Sequence, residues 1–522
     1  MPKYADAGPY LGVSRPKCGS SREDRAAEIT SGSQGRISQM QYKYVVLTNT
    51  TVGAFMAILD SNIVLIALPS ISADLKASPF ESVWIIMGYV LVTASLLMSF
   101  GRLSDIFGRV RLYNTGFALF TIGSALCSIA PNGLTLVFFR LIQGCGGALI
   151  FSNAAAILTD VFPPTERGRA LGLNQVAGVI GSVLGLALGG ILAGSFLGWR
   201  AIFWINIPVG TFATIWAYFK LKETSEPRRG ERLDPVGNIL FSGGLTIFLV
   251  GLMLGALEGW SLGYFGLMGL GLGMVAAFVL AETRVRFPMM DLSLFRIRAF
   301  AAGMASNLLA SVARGGVSLV LVFYFQGVLL LDAFTAGLWL IPFSVAFVTL
   351  GPLSGYLSDK YGSRGFATAG LLITSVALFW FGLAPLPLGD ASYTQLLPPM
   401  LLAGAGGGLF VAPNVASVMN ATPAARRGIA SGMSSTLVNT GFLLSLGLAF
   451  AVMAASVPSA VLQAIFSGAS GGVSPLLEGQ FVNGIHGLFL IMGFISLFAA
   501  VPAFMAKKPK PRFEAARQSQ PD

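Results

Sequence analysis

Long hydrophobic runs separated by short polar segments extend over most of the chain. A helix of about 20 apolar residues is long enough to cross the hydrocarbon core of a bilayer. Apolar runs of that length lie near 44–69, 82–101, 112–131, 134–157, 170–194, 200–219, 236–257, 263–281, 299–329, 335–357, 366–385, 396–419, 429–455 and 482–506. The pattern predicts fourteen transmembrane helices, and the even number places both termini on one side of the membrane.

The composition indicates a polytopic, all-α membrane protein. Of the 522 residues, 54% are hydrophobic and 11% are charged, a balance too apolar for a soluble protein of this size. Of the 34 lysines and arginines, 30 lie in the two tails and the even-numbered loops. Because cytoplasmic loops are enriched in basic residues, we expect a multi-pass protein of the cell membrane with both termini in the cytoplasm. The basic residues of the cytoplasmic loops, some of them in contact with lipid headgroups, then account for the net charge of +11. Nucleic-acid binding is therefore not expected.

Two sequence motifs occur twice along the chain. Gly101, Leu103, Ser104, Asp105 and Gly108 recur 254 positions later as Gly355, Leu357, Ser358, Asp359 and Gly362. A second series, which begins with Gly144, Gly146 and Gly147, recurs 260 positions later, beginning with Gly404, Gly406 and Gly407. The chain therefore contains two pseudo-symmetric six-helix bundles with two inserted helices between them. Parallel repeats of this kind are typical of transporters that bind their substrate near the bilayer midplane, between the halves.

The hydrophobic pattern and the repeat divide the chain into seven segments. We expect a disordered cytoplasmic tail over 1–43, an N-terminal six-helix bundle over 44–219, a cytoplasmic linker over 220–235, inserted helices 7 and 8 over 236–281, a cytoplasmic loop over 282–298, a C-terminal six-helix bundle over 299–506 and a basic cytoplasmic tail over 507–522. The first tail is polar and lacks the apolar core and cleavage site of a signal peptide.

One acidic residue lies within the first predicted helix. Asp60 belongs to an apolar run with no lysine or arginine between Tyr44 and Pro69. An ionisable group at such depth is costly, so function is the default expectation for it. Because burial disfavours the charged form of a carboxyl group, a residue of this kind is able to load and release a proton. The alternative is a carboxylate that a structural partner holds permanently.

Several segments together resemble one family of transporters. They are Leu59-Asp60-Ser61-Asn62-Ile63-Val64 with Ala67-Leu68-Pro69 in helix 1, the loop from Gly101 to Arg111, Arg140-Leu141-Ile142-Gln143-Gly144 in helix 4, and Trp199-Arg200 with Phe203, Asn206 and Pro208 in helix 6. Over about residues 40–506 the chain is similar to the major facilitator superfamily, and specifically to its fourteen-helix branch of drug:proton antiporters. In the glycine series from Gly181 to Gly190 of helix 5, a leucine stands where that branch normally has a proline.

The resemblance implies a proton-coupled secondary transporter that exports hydrophobic or amphipathic small molecules by alternating access. The proton motive force would be its energy source, with no cofactor or metal, and we expect a monomer. Because Asp60 is the one evident acid in mid-span and Arg314 balances it, neutral, zwitterionic or anionic amphiphiles are favoured over polycationic drugs. The alternatives are a proton-linked metabolite symporter, a carrier of lipid-like molecules, and a membrane receptor or scaffold.

Three charged residues are candidates for proton coupling or for the cavity wall: Asp60, Arg314 and Arg140. Arg314 follows Asp60 by 254 positions, the offset of the first repeated motif, and is its expected pseudo-symmetric counterpart. Since the first helix of each half lines the cavity in the resembled fold, we expect Asp60 and Arg314 to pair across it, directly, through water or alternately with substrate. The alternative for Arg314 is a contact with a backbone carbonyl or a lipid headgroup. The resemblance gives Arg140 a part in proton transfer or in organising the cavity, and its alternative is snorkelling to the outer membrane face.

The loop between helices 2 and 3 is predicted to act as a cytoplasmic latch. In this interpretation Asp105 accepts hydrogen bonds from a helix N-terminus of the opposite half, while arginines of the loop hold it. The predicted gating residues are Gly101, Asp105, Gly108, Arg109, Arg111 and Asp359. The alternative is a solvated loop that only orients the chain.

Two further sets of residues are predicted from the sequence. Small residues that let a neighbouring helix approach closely are Gly181, Gly185, Gly189 and Gly190. Polar and aromatic residues that could line a substrate cavity are Asn62, Tyr89, Gln143, Asn174, Gln175, Asn307, Tyr324 and Gln326.

Enzyme chemistry finds no support in the sequence. The chain has no phosphate-binding glycine–lysine loop, and its single histidine, His486, provides no set of nucleophile and base. The three cysteines have no metal-ligand spacing. A fixed pore is disfavoured because a repeat with loops at equivalent places suits alternating access better.

Overall fold

The computed structural model describes residues 22–163, 166–195, 197–223, 234–285, 288, 290–386, 393–423, 426–467 and 475–506. We number the long helices α1 Arg22–Leu75, α2 Pro79–Phe107, α3 Arg109–Ser128, α4 Gly133–Val161, α5 Arg167–Ala193, α6 Gly198–Lys220, α7 Pro235–Glu258, α8 Leu262–Glu282, α9 Arg298–Val328, α10 Ala333–Tyr361, α11 Ser363–Leu383, α12 Tyr393–Ala421, α13 Arg427–Ser456 and α14 Pro475–Met505. A short helix, Ser459–Phe466, precedes α14. Helix α9 ends in a π-helical turn, Tyr324–Val328.

Every predicted hydrophobic span falls on one of these helices, so the all-α polytopic fold is confirmed. Thirteen of the described helices are long and apolar enough to cross a membrane. Helix α3 brings the number to the predicted fourteen. It is less apolar because its first turns contain Arg109, Arg111 and Asn114.

The first helix begins earlier than the sequence suggested. Residues 22–43 were expected to be a disordered tail, but α1 already begins at Arg22. This segment contains no proline and several alanines, glutamates, glutamines and arginines, which have high helix propensity, so the transmembrane helix continues into it. Residues 1–21, 224–233 and 507–522, which cover most of the predicted tails and linker, lie outside the described residues.

Small residues set the close packing of α1 against α5. A Cβ atom added to Gly181, Gly185 or Gly189 would lie 2.7 to 2.9 Å from backbone carbonyl oxygens of α1. Gly190 faces the other way, where an added Cβ would clash with the backbone at Phe334 in α10. The glycines of α5 therefore allow close packing against α1 within the N-terminal half and against α10 of the other half.

The two halves meet along two pairs of helices. Helix α5 packs against α10, and α2 packs against α13. The inserted helix α7 packs against α8 and also contacts α2 and α13. The insertion therefore lies beside the contact between α2 and α13.

Both repeated loops turn on a glycine with positive φ. Gly108 links α2 to α3 with φ 105°, and Gly362 links α10 to α11 with φ 92°. Residues with side chains rarely adopt this conformation, which accounts for glycine at both positions. Gly101, the first residue of the predicted loop from Gly101 to Arg111, lies within α2 instead.

Candidate functional site

The Asp60 carboxylate is enclosed by its own half of the molecule. Its side chain is fully buried, and Arg140 Nη1 of α4 lies 2.5 Å from Oδ2. Gln143 Nε2 donates to Oδ1 at 2.9 Å, and Asn206 Nδ2 of α6 donates to the same oxygen at 2.7 Å. These three donors and Asp60 form what we call the Asp60 cluster.

The Arg140 side chain contacts several groups besides Asp60. Its Nε donates to the carbonyl oxygen of Ile85 in α2 at 3.1 Å, and its Nη1 donates to Gln143 Oε1 at 2.6 Å. The guanidinium lies over the Tyr89 ring, 4.4 Å from its centroid. Because the side chain is only 1% exposed, the alternative in which Arg140 snorkels to the membrane face is excluded.

Gln143 extends the cluster to a fourth helix, α3. Its Nε2 also donates to Ser124 Oγ of α3 at 2.7 Å. Five helices of the N-terminal half, α1, α2, α3, α4 and α6, therefore contribute to one polar network around a single carboxylate. In a buried pair with these hydrogen bonds, the cost of removing two charges from water is largely compensated.

The structure does not contain a direct pair between Asp60 and Arg314. Arg314 contacts the C-terminal half, with its guanidinium 5.1 Å from the centroid of the Phe347 ring in α10. Its Nη1 lies 3.1 Å from the position that a Cβ on Gly407 of α12 would occupy. Asp60 and Arg314 each contact residues of their own half, as expected if positions that the repeat relates have equivalent places in the two halves.

The residues predicted to line a substrate cavity do not gather around one space. Tyr89 and Gln143 belong to the Asp60 cluster. Asn62 donates to Ile58 of its own helix, Asn307 donates to Ser434 Oγ of α13, and Gln326 donates to the Ile66 carbonyl across the two halves. Tyr324 is buried in the π-helical turn, and Asn174 Nδ2 has no hydrogen-bond partner within the described ranges. The side chains of Gln175 and Asp359 lie outside the described residues.

A cavity of about 470 Å³ lies between the halves, away from the Asp60 cluster. Its lining includes Asp74 at the end of α1 together with Gln326 and Asp332 of the other half. Of the predicted cavity residues, Gln326 alone belongs to this lining.

The loop between α2 and α3 is held by charges of the N-terminal half. Arg109 Nε donates to Asp105 Oδ1 at 2.9 Å, and Arg109 Nη1 lies 2.8 Å from both oxygens of Asp160 in α4. The acid at the N-terminus of α3 is Glu223, which accepts from the backbone N–H groups of Arg109, Val110 and Arg111 at 3.0 to 3.2 Å. Gly108 makes room for it, since a Cβ there would lie 2.5 Å from Glu223 Oε2.

Sequence reasoning did not assign roles to four residues of these networks. Asn206 was noted only within a motif, and Ser124, Asp160 and Glu223 were not singled out. Asp160 and Glu223 had a usable signal, because each is an acid near the end of a predicted helix on the side of the basic loops. Ser124 had none, since serines are frequent in the predicted spans.

The chemistry open to the Asp60 cluster is the binding and release of one proton. The deprotonated carboxylate accepts bonds from Arg140, Gln143 and Asn206. A protonated carboxyl group would lose its charge and its attraction for the guanidinium, so α1 would be held less firmly against α4 and α6. No group of three or more metal-ligating side chains occurs among the residues that the structure describes.

Comparison with known proteins agrees with the repeat. Residues 50–329 and 299–521 each match the Major Facilitator Superfamily. The chain is 32% identical to riboflavin transporter RibZ of Clostridioides difficile over 79% of this chain and 88% of that protein. It is 33% identical to multidrug resistance protein Stp of Mycobacterium tuberculosis (78% and 75% covered). It is 29% identical to the tetracenomycin C resistance and export protein of Streptomyces glaucescens (92% and 94%).

Solved structures share the fold. The crystal structure of a bacterial homologue of the human lysosomal transporter Spinster, inward-facing and unoccupied, superposes with a TM-score of 0.63 at 17% identity, over 89% of this chain and 97% of that one. A D-xylose–proton symporter superposes with a TM-score of 0.60 at 17% identity, over 90% and 98% of the two chains.

Proposed function

The chain belongs to the major facilitator superfamily, and from this premise we propose that it is a proton-coupled exporter of hydrophobic or amphipathic small molecules. It is an integral membrane transporter and not an enzyme. Export is supported by relatives named for multidrug resistance and for tetracenomycin C export. The proton motive force drives the cycle without a cofactor, and the monomer lies in the cell membrane with both termini in the cytoplasm.

The Asp60 cluster is the observation that carries the proposal. A carboxylate with three side-chain donors in a membrane-embedded bundle has two states that differ in their contacts with α4 and α6. A ligand shifts the equilibrium between two conformations of a transporter only as far as its affinities for those conformations differ. The proton meets this requirement in our proposal, because protonated Asp60 would lack the charge that attracts Arg140.

Alternating access requires the halves to move as units. The ion pairs of Asp60 with Arg140 and of Arg109 with Asp105 and Asp160 lie within the N-terminal half. Among the described residues, side-chain hydrogen bonds from one half to the backbone of the other are made by Gln326 to Ile66, by Gln463 to Ala77 and by Thr436 to Ala94. The ion pairs within the N-terminal half favour its movement as a rigid body over internal rearrangement.

The test is transport in proteoliposomes under an imposed pH gradient. A panel of ethidium, riboflavin, 1-pyrenebutanol and 1-pyrenebutanoate is followed by fluorescence, with Asp60→Asn and the exposed surface variant Arg284→Gln beside the parent. We expect uphill movement of at least one compound by the parent and by Arg284→Gln, and none by Asp60→Asn. Uphill movement by Asp60→Asn would remove Asp60 from coupling, and movement by no variant of any compound would favour a receptor or scaffold.

A second candidate function is proton-linked transport of a metabolite or of a lipid-like molecule. The similarity to a riboflavin transporter favours it, as does the leucine in place of proline in the glycine series of α5. The direction of riboflavin movement relative to the proton gradient separates this function from drug export.

A further inference from the structure

Arg314 is a cation of the C-terminal bundle for which the described residues supply no counter-charge. It lies in α9 between α10 and α12, against Phe347 and Gly407. Among the described residues it forms no ion pair and no hydrogen bond, whereas Arg140 in the other half has an acid, an amide and a carbonyl as partners. Its five N–H donors are therefore unmatched.

The repeat shows that the missing partner is a property of the sequence. The position of α12 that corresponds to Arg140 is Met400, which is fully buried and apolar. A guanidinium within a bilayer is costly unless it is paired. The Phe347 ring compensates only part of this cost, because a cation–π contact is weaker than an ion pair with hydrogen bonds. An anion that reaches Arg314 would therefore bind favourably.

Arg314 lies one helix away from the contact between the halves. Helix α10, which supplies Phe347, is the helix that packs against α5 of the N-terminal half. An added Cβ on Gly407 would lie 3.1 Å from Arg314 Nη1, so the absence of a side chain there lets the guanidinium pack against α12. Arg314 nevertheless keeps partial exposure, so part of the residue is accessible to a solute.

We propose that Arg314 binds the anionic group of the transported solute, a carboxylate, sulfonate or phosphate attached to an apolar body. The aromatic ring of Phe347 contacts the body of the solute. The inference rests on the proposed transport function and narrows its substrates to amphiphilic anions. A phospholipid headgroup offers the same chemistry, so the experiment separates the two sources.

The experiment compares two probes that differ only in their polar group. The parent in nanodiscs of phosphatidylcholine is titrated with 1-pyrenebutanoate and with 1-pyrenebutanol, and energy transfer from its seven tryptophans reports binding above that of empty discs. We expect the carboxylate to bind at least about tenfold tighter than the alcohol, as a charge-assisted hydrogen bond permits. Arg314→Gln is expected to lose this preference and to bind the alcohol as the parent does, while Arg284→Gln keeps it.

Two further measurements are able to refute the proposal. Arg314→Lys keeps the charge and should keep a reduced preference, so it decides the matter if the glutamine variant does not fold. A carboxylate preference that survives in Arg314→Gln, or that is absent from the parent or from Arg314→Lys, overturns the proposal. Loss of the parent's preference when phosphatidylglycerol replaces one third of the lipid assigns the site to a headgroup and also overturns it. Because equilibrium binding needs no gradient, this result and proton-driven transport fail independently.

Discussion

The two halves of the molecule repeat one fold but differ in the charge at its centre. In the N-terminal half, Asp60 of the first helix meets Arg140 of the fourth at 2.5 Å and is surrounded by donors. In the C-terminal half, Arg314 of the first helix contacts Phe347 and has no charged partner within the described part of the chain, and the fourth helix carries Met400. In the mechanism that we propose, the N-terminal half therefore carries the proton and the C-terminal half binds the solute.

Copying the C-terminal residue into the N-terminal half should have the largest effect. Arg140→Met gives α4 the residue found at Met400 and leaves Asp60 buried without its countercharge. We expect a loss of about 3–5 kcal/mol in the stability of the folded protein, because removing one partner of a buried pair strands the other. Thermal unfolding in detergent measures this.

The double variant Asp60→Leu/Arg140→Met sharpens the same comparison. Replacing both charges by apolar groups should recover most of the stability lost in Arg140→Met, since apolar replacements of a buried pair are often neutral. Proton-driven transport should stay absent. A double variant that is as unstable as Arg140→Met would show that the cluster is held by other contacts.

Loosening the aromatic contact in the C-terminal half should have a smaller effect. Phe347→Leu removes the ring under Arg314 and keeps an apolar side chain. We expect 1-pyrenebutanoate to bind with about 1 kcal/mol less free energy, a change of about fivefold in Kd. Phe343→Leu on the same helix is the matched control, and an equal loss there would place the effect in general packing.

The loop of the N-terminal half can be tested through its helix cap. Glu223→Gln removes the charge that accepts from three backbone N–H groups at the start of α3. We expect a loss of up to about 1 kcal/mol in stability, because anions at helix N-termini are favoured by the helix dipole. Lys222→Gln serves as the neighbouring control, and an unchanged unfolding midpoint in Glu223→Gln would show that the cap carries no stability.

The smallest difference concerns the start of the second helix in each half. Ser78 caps α2 with a neutral hydroxyl, and Asp332, 254 positions later, caps α10 with a carboxylate. Hydrogen bonds from Thr335 and from the backbone hold the pKa of Asp332 below its ordinary value of 3.8. The cap therefore contributes stability above the unfolded pKa and loses it as the pH falls through the folded pKa. Asp332→Ser should remove a small part of the acid sensitivity of unfolding below about pH 4, and an identical pH profile would contradict this.

The sequence was sufficient to predict the helices and the repeat. Spans of apolar residues are dictated by the thickness of the bilayer, and the glycines at 108 and 362 by the positive φ of the two turns. Asp60 and Arg140 were both recognised because charges in the membrane are costly.

The contacts of Asp60 and Arg314 could not be predicted from the sequence in the same way. Asp60 and Arg314 share an offset of 254 positions, but the offset gives equivalence and not contact. Whether equivalent residues face each other depends on the rotation of each helix within its bundle. That rotation is set by packing such as that of Gly181, Gly185 and Gly189 on α1. The hydrogen-bond roles of Ser124 and Asn206 likewise depend on which faces of α3 and α6 turn inward.

Proton movement driven by a solute tests the central claim most directly. Liposomes that contain a pH-sensitive dye and no pH gradient are given a gradient of the panel compound that the parent transports fastest. We predict that the parent moves protons as the compound crosses, and that Asp60→Asn exchanges the compound across the membrane without moving protons. Proton movement by Asp60→Asn at the rate of the parent would contradict the assignment of Asp60 as the proton carrier.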